Sequence, residues 1–470
     1  MSAACPVVEF SSLQEERALA HLREAVRDAA DRLVDRMAES LFSSKGRSFL
    51  ELSQALQEAR QEFLGDLLGK LIEVEHRDLL SQQVAPCPRC GKEVKKSDDV
   101  PKKLESLQGS TTIRRPYFYC AECRCGFYPL DEALGLCRET KQQDLQKVAL
   151  ELLAEMPFER ASELFEKATG VSFSDHRMHS LFASFAEEAG VEDVIPSAAE
   201  IDRRIEEVSA SEGKRPVMVV AVDGAHAPTR PAGGRKEKRG PGEYKEVKGF
   251  RLYLPKGDGI VPIASWHQAT DADTLAEDLK KAADRVDQGK VRVALIGDGA
   301  PWLWRAMEGA FPEGRQILDY YHCSEHIHAL AQEQYKDDPG RALHWVESTM
   351  ARLSRKKGVS HVVGGLRRME PRNDDVKELT RKTINYLENN KKRIHYRGDK
   401  IGGYPIGSGG IESANKFICN TRLKRSGAWW LISNCNNMLK LRCSIYNGTF
   451  ENVFSAYATR ARAKRLLRNA

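Results

Sequence analysis

Apolar positions recur at helical intervals through residues 11–82. Leu13, Leu22, Val26, Leu33 and Met37 stand among many charged side chains, and no proline interrupts the stretch. Long amphipathic helices of this kind pack on the body of a protein or pair with a second chain, and packing on the body is the expectation. Residues 141–190 return to a helical period. There "FERASELFEKATG" runs to Gly170, "VSFS" makes a short turn, and Ser174 or Asp175 is placed to cap a second helix. Two helices joined this way have the outline of a helix-turn-helix.

From Arg215 the period changes. "PVMVVAVDG", "EYKEVKGFRLYL" and "GIVPIASWHQA" read as three strands, with the basic loop "PAGGRKEKRGPG" after the first and "PKGDG" after the second. "ADTLAEDLKKAADRV" reads as a helix, "VRVALIGDG" as a strand, "PWLWRAMEGAF" as a helix and "RQILDYY" as a strand. The order is β-β-β-α-β-α-β. A charged, helix-rich segment follows Tyr321, and a glycine-rich stretch, "GDKIGGYPIGSGGIESANKF", opens the last helical region. Predicted boundaries are 1–82 (helical), 83–135 (cysteine-rich), 136–192 (helix-turn-helix), 193–321 (first part of the α/β core), 322–402 (helical insertion) and 403–470 (completion of the core with a basic end).

Composition narrows the classes. The chain has 470 residues, 41% hydrophobic and 30% charged, which describes a folded multidomain protein. No apolar run approaches the roughly 18 residues of a membrane span, and no membrane partner is expected. A basic n-region followed by an apolar h-region is missing from "MSAACPVVEFSSLQEERALA", so a cytoplasmic location is expected. Net charge is only +6, but from Ser413 onward eleven Lys and Arg face the single acid Glu451. That end suits a polyanion such as nucleic acid.

Eleven cysteines without an export signal argue against a disulfide framework. Four of them form two C-x-x-C pairs, Cys87 with Cys90 and Cys120 with Cys123, and four thiolates from two tight turns complete a closed tetrahedral site for a structural Zn²⁺. The long gap between the pairs leaves room for a hairpin, as in a zinc ribbon. Cys125 could replace Cys123 as the fourth ligand.

The run "VRVALIGDGAPW" ends an apolar strand on Asp298 between two glycines, and a buried strand rarely closes on a carboxylate without a partner or a function. The strand order is that of the ribonuclease H-like fold, in which the first strand, the end of the fourth strand and a later helix each carry a carboxylate. Those positions fall on Asp223, Asp298 and Glu412. Three converging carboxylates repel one another unless cations neutralise them, which calls for two Mg²⁺ (or Mn²⁺) ions and metal-dependent phosphodiester chemistry.

The residues also carry a resemblance. "CGFYPLDEALGL", "FERASELFEKATGVSFS", "VAVDGA", "IGDGAPWLW", "LDYYHCSEHIHALA" and "GSGGIESANKFICNTRLKRSG" resemble the DDE transposases of the ISKra-type bacterial insertion sequences. The resemblance implies catalytic roles for Asp223, Asp298 and Glu412. It also implies cleavage and strand transfer of double-stranded DNA at element terminal repeats and a target, and a homo-oligomer on that DNA. One departure is local: where the family pattern suggests an acidic, Ala-rich helix after "LKRSG", this chain has "AWWLISNCNNMLKLRC". Alternatives within the same fold are a nuclease without strand transfer and a catalytically silent, transposase-derived DNA-binding protein.

Two further motifs are candidates of lower rank. In "HCSEHIH", His322 and His326 share a helix face beside Cys323, a spacing that can bind a transition metal, and the motif also resembles the Cys-x-x-His element of Mutator-like transposases. In "NTRLKRSGAWW", Arg422, Lys424 and Arg425 are candidate phosphate contacts.

Overall fold

The computed structural model describes residues 7–43, 46–187, 189–231 and 240–468. Most of the basic loop "PAGGRKEKRGPG" lies outside them. The described chain forms two compact units, Met1–Phe185 with Phe454–Ala470, and Ala186–Val453.

The first unit opens with two long helices, α1 (Val7–Ser43) and α2 (Phe49–Glu75). Ser48 caps α2: its hydroxyl accepts from the Glu51 N–H, and the Glu51 carboxylate accepts from the Ser48 N–H at 2.7 Å. Arg32 joins α1 to α2 through Asp66 at 2.9 Å. A four-stranded antiparallel sheet follows, in sequence order: β1 (Val84–Pro86), β2 (Glu93–Ser106), β3 (Gly109–Cys120) and β4 (Cys125–Phe127). Gly65 and Gly69, one helical turn apart on α2, lie so close to Ser110 and Thr111 that a Cβ at either would collide. The helix therefore rests directly on β3, the packing arrangement expected from its sequence.

The strand β2 is absent from the hydrophobic pattern. "EVKKSDDVPKKLES" is highly charged and contains Pro101, yet it pairs with β3 through ten residue pairs, from Lys96↔Phe118 to Ser106↔Gly109. On its other side it pairs with β1 at three positions only, so most of it is a sheet edge. Edges tolerate proline and charge. Beneath the sheet, Arg115 and Asp131 form a buried ion pair at 2.8 Å, with the guanidinium 3.5 Å above the Tyr128 ring. Three helices follow, α3 (Gln143–Glu155), α4 (Phe158–Thr169) and α5 (Asp175–Glu187). Gly170 ends α4 in the left-handed region at φ 68°, and the Ser162 hydroxyl donates to the Phe173 carbonyl at 2.8 Å, fixing the turn.

The second unit is built on a five-stranded mixed sheet. Its strands are β5 (Val217–Thr229), β6 (Glu243–Lys256), β7 (Gly259–Gln268), β8 (Arg292–Gly297) and β9 (Arg315–Leu318), in the spatial order 7-6-5-8-9. Strands 7, 6 and 5 are antiparallel, and 5, 8 and 9 are parallel. Helix α6 (Ala272–Ala283) precedes β8 and α7 (Pro301–Ala310) follows it. The residues from Val217 to Ala221 and from Ala294 to Ile296 are buried, which is why both segments read as continuous apolar runs.

After β9 the chain leaves the sheet through α8 (Tyr320–Gln334), α9 (Pro339–Leu353), α10 (Gly358–Arg368) and α11 (Asp374–Asn389). It returns through the glycine-rich stretch to α12 (Gly409–Ala414) and a π-helical turn, Asn415–Asn420. Helix α13 (Ile432–Asn447) then covers β7, where the Asn447 side chain pairs with both backbone groups of Ser265 at 2.8 and 2.9 Å. Among the described residues, no helix is long and apolar enough to cross a membrane.

Candidate active site

Parallel pairing places two carboxylates side by side. Ala221 of β5 lies opposite Ile296 of β8, and Asp223 and Asp298 each follow two residues later. Neighbouring strands are about 4.8 Å apart; β8 ends at Gly297, just before Asp298, whereas β5 runs on to Thr229 and keeps Asp223 paired with Gly249. The Asp298 carboxylate accepts from the Ala300 N–H at 2.8 Å, and Gly299 takes φ 107°, a turn only glycine makes cheaply.

Glu412 reaches the same edge from α12. Gly410 lies against the Tyr253 ring with no room for a Cβ, and its carbonyl accepts from the buried Arg251 guanidinium. Both partners lie on β6, so the glycine-rich stretch brings α12 down onto the sheet. Asp319, fully buried, secures the approach: it accepts from the N–H groups of Tyr321 at 2.7 Å and His322 at 2.9 Å, and from the Ser408 N–H.

Burial pushes the Asp223 carboxyl above its ordinary value; the Gly224 N–H and the nearby His322 oppose the shift, and the negative charges of Asp298 and Glu412 add to it. Asp298 and Glu412 therefore both lie within electrostatic reach of Asp223. The three acids are grouped more loosely than the cysteines below, because their donor atoms do not all lie within 4.8 Å of one another. Carboxylates whose charges raise the proton affinity of a buried neighbour, as those of Asp298 and Glu412 do for Asp223, are the oxygen donors a hard divalent cation such as Mg²⁺ takes, its shell completed with water. The residues present fit that group.

In "HCSEHIH", His322 is half-buried and His326 exposed, whereas Cys323 is fully buried. His322 lies within electrostatic reach of Asp223, and its Nδ1 is 3.2 Å from Glu325. The His326 ring lies 4.0 Å from that of Tyr386 on α11. Burial lowers the proton affinity of His326, and the Asp298 charge opposes that shift. Burial pushes the Cys323 thiol up to about 11, so Cys323 belongs to the packing of α8 and the histidines alone flank the acids.

Several residues at this site carried no sequence signal. Asn415 donates from Nδ2 to Asp223 Oδ2 at 2.7 Å and receives the ring N–H of buried His267 at 2.9 Å. Tyr386 donates its hydroxyl to the Asp298 carbonyl at 2.8 Å. Only Gly249, a glycine in the interior of a predicted strand, gave a hint, since such glycines mark a close approach.

In the first unit, Cys87, Cys90, Cys120 and Cys123 form a cluster whose sulfur atoms all lie within 4.8 Å of one another. Among the described residues it is the only group of three or more candidate ligands so close. The Cys90 and Cys120 sulfurs are 3.8 Å apart, the edge of a tetrahedron with Zn–S bonds of about 2.3 Å. Cys125 is also near, its sulfur 3.9 Å from that of Cys87. The cluster could hold a metal such as zinc.

The basic trio divides. Lys424 and Arg425 are exposed, but Arg422 is only 3% exposed, with its guanidinium 4.8 Å from the centre of the Trp430 ring. Trp430 is itself buried, and its backbone pairs with Pro228 and Arg230 beside β5. Arg422 was expected as a phosphate contact; its burial against Trp430 makes it a packing residue instead.

Residues 43–453 match the sequence profile of one protein family. The chain belongs to the uncharacterised protein family UPF0236. Among solved structures, the chain is similar to the Drosophila P element transposase strand transfer complex at 11% identity and a TM-score of 0.26, covering 68% of this chain and 81% of that one. A search of curated proteins finds no match.

Proposed function

We propose that this protein is a DDE transposase of the ISKra type, with a ribonuclease H-like core, a zinc ribbon and a helix-turn-helix that contacts DNA. The observation that carries the reading is that Asp223 and Asp298 each stand two residues beyond the last pair, Ala221 and Ile296, of adjacent parallel strands, with both Asp298 and Glu412 close enough to raise the proton affinity of Asp223. The 7-6-5-8-9 strand order, three strands antiparallel and three parallel with β5 shared, is the arrangement of a ribonuclease H-like sheet and supports the same reading.

In this proposal Asp223, Asp298 and Glu412 hold two Mg²⁺ ions. When bound, such ions lower the pKa of an attacking water or 3′-hydroxyl and stabilise the leaving 3′-oxygen of the DNA backbone. Asp298 is held by the Ala300 N–H, and Asp223 by Gly224 and Asn415, so both carboxylates are oriented before a cation arrives. His322 and His326 flank the acids, and Lys424 and Arg425 offer positive charge to phosphates. The four cysteines hold a structural zinc, and the enzyme works as a homo-oligomer on double-stranded DNA ends and target.

The test uses the purified full chain, a pre-nicked DNA carrying the inverted repeats that flank the reading frame, a target plasmid and Mg²⁺. Joined products in wild type, lost in Asp223→Asn, Asp298→Asn and Glu412→Gln, are expected. Cleavage without joining would point to a nuclease. DNA binding with neither cleavage nor joining would leave a catalytically silent binding protein.

A further inference from the structure

Asp223, Gly249 and His267 lie in one row across the sheet. Asp223 of β5 is opposite Gly249 of β6, and Gly249 is opposite His267 of β7. A Cβ at Gly249 would collide with the His267 ring. The missing side chain lets the imidazole lie over the middle strand and point toward the acid. Asn415, three residues after Glu412 and at the first position of the π-helical turn, spans the remaining gap.

Its two ends have opposite hydrogen-bonding character. The Asn415 NH₂ group faces Asp223 at 2.7 Å and its carbonyl faces His267 Nε2 at 2.9 Å. A carboxylate accepts only, so the donor end must point toward Asp223. The carbonyl then requires a proton on Nε2, which fixes the tautomer of a neutral imidazole. Full burial lowers His267 to about 4, so the ring is neutral at physiological pH, and its Nδ1 faces the Cys443 sulfur at 4.0 Å. Burial pushes that thiol up to about 12, which keeps its proton in place to face the ring nitrogen. Each donor along the row meets an acceptor, and reversing the amide would set two acceptors against each other at Asp223 and two donors against each other at the protonated Nε2 of His267.

We infer that Asn415 is a positioning residue for the candidate metal site: held by His267 across the gap left by Gly249, it fixes the rotamer of Asp223 so that the carboxylate meets a divalent cation without reorganisation. This rests on the proposed metal-dependent reading of the three acids. Outer partners of metal-binding groups typically change affinity by about 10- to 100-fold when removed. Asn415 also follows directly on the helix that carries Glu412, so one side chain couples the placement of two of the three acids.

The experiment measures Mn²⁺ binding to the zinc-loaded full chain by electron paramagnetic resonance, for wild type, Asp223→Asn, Asn415→Ala and His267→Gln. Wild type is expected to bind Mn²⁺ in a manner abolished by Asp223→Asn. Asn415→Ala should bind about tenfold more weakly, with a broadened signal from a less ordered ligand set. His267→Gln, which leaves both Asn415 and the acids intact, should move affinity and linewidth in the same direction. If wild type binds but Asn415→Ala matches it in affinity and lineshape, the positioning role is overturned while the metal reading stands. If Asn415→Ala does not fold, an unchanged His267→Gln overturns the role in its place. If wild type shows no Asp223-dependent binding, the metal reading fails and this inference falls with it.

Discussion

Tyr386 of the helical segment between β9 and α12 donates its hydroxyl to the backbone carbonyl of Asp298 at 2.8 Å. Burial pushes the phenol well above its ordinary range, reinforced by Cys323 and the Asp298 charge, so the proton stays in place to be donated. A peripheral helix thereby steadies the turn that carries one of the acids. Tyr386→Phe should lose about 1 kcal/mol of stability, the usual net value of one such bond. Urea unfolding reads the change, and an unaltered midpoint would show that the bond contributes nothing.

Acid should destabilise the second unit through His267. Its folded value of about 4 lies below the ordinary 6.5, so the unfolded chain takes up the proton first as pH falls. Stability from this group is complete above pH 6.5 and lost progressively down to pH 4, by at most about 3 kcal/mol. His267→Gln should flatten that limb of the melting temperature against pH. A curve as steep as wild type would assign the acid sensitivity elsewhere.

The cysteine cluster makes a discriminating prediction because five thiols compete for four positions. One zinc per chain is expected, measured by a colorimetric chelator. Cys125→Ser should retain it, whereas Cys123→Ser and Cys90→Ser should release it and melt β1 and β4, which flank the cluster. Retention in Cys123→Ser with loss in Cys125→Ser would exchange the two assignments.

Charge removal should separate packing from DNA contact. Lys424→Ala with Arg425→Ala should reduce the slope of log binding constant against log salt by about 1.8, at about 0.9 per phosphate contact. Arg422→Ala should lower the melting temperature through lost packing against Trp430 and leave the slope alone. A salt slope that changes only with Arg422→Ala would reverse this division.

How far the sequence could be read follows from how locally each feature is encoded. The apolar runs of β5 and β8 and the periodicity of α6 are local, and these elements lie where the pattern placed them, but β5 runs on to Thr229 beyond its predicted end and Tyr320 and Tyr321 of the predicted strand "RQILDYY" open α8 instead. Cysteine spacing was equally local and led directly to the cluster. The edge strand β2 was illegible because an edge does not need an apolar face. Arg422 misled because a run of basic residues does not say which member turns inward, and a neighbouring tryptophan decided it. Asn415 and His267 lie 148 residues apart, and their hydrogen bond exists only after the sheet and the returning helix have met.

Asp319 and Ser408, joined by a hydrogen bond, are separated by 89 positions. Closing a circuit of that length costs roughly 4 kcal/mol of chain entropy, which the intervening helices must offset before α12 can settle. A nascent polypeptide that has emerged only as far as α11 already displays Asp223 and Asp298 but has no Glu412 to set beside them. Whatever reactivity depends on all three acids is thus withheld during synthesis and begins only when the late segment docks.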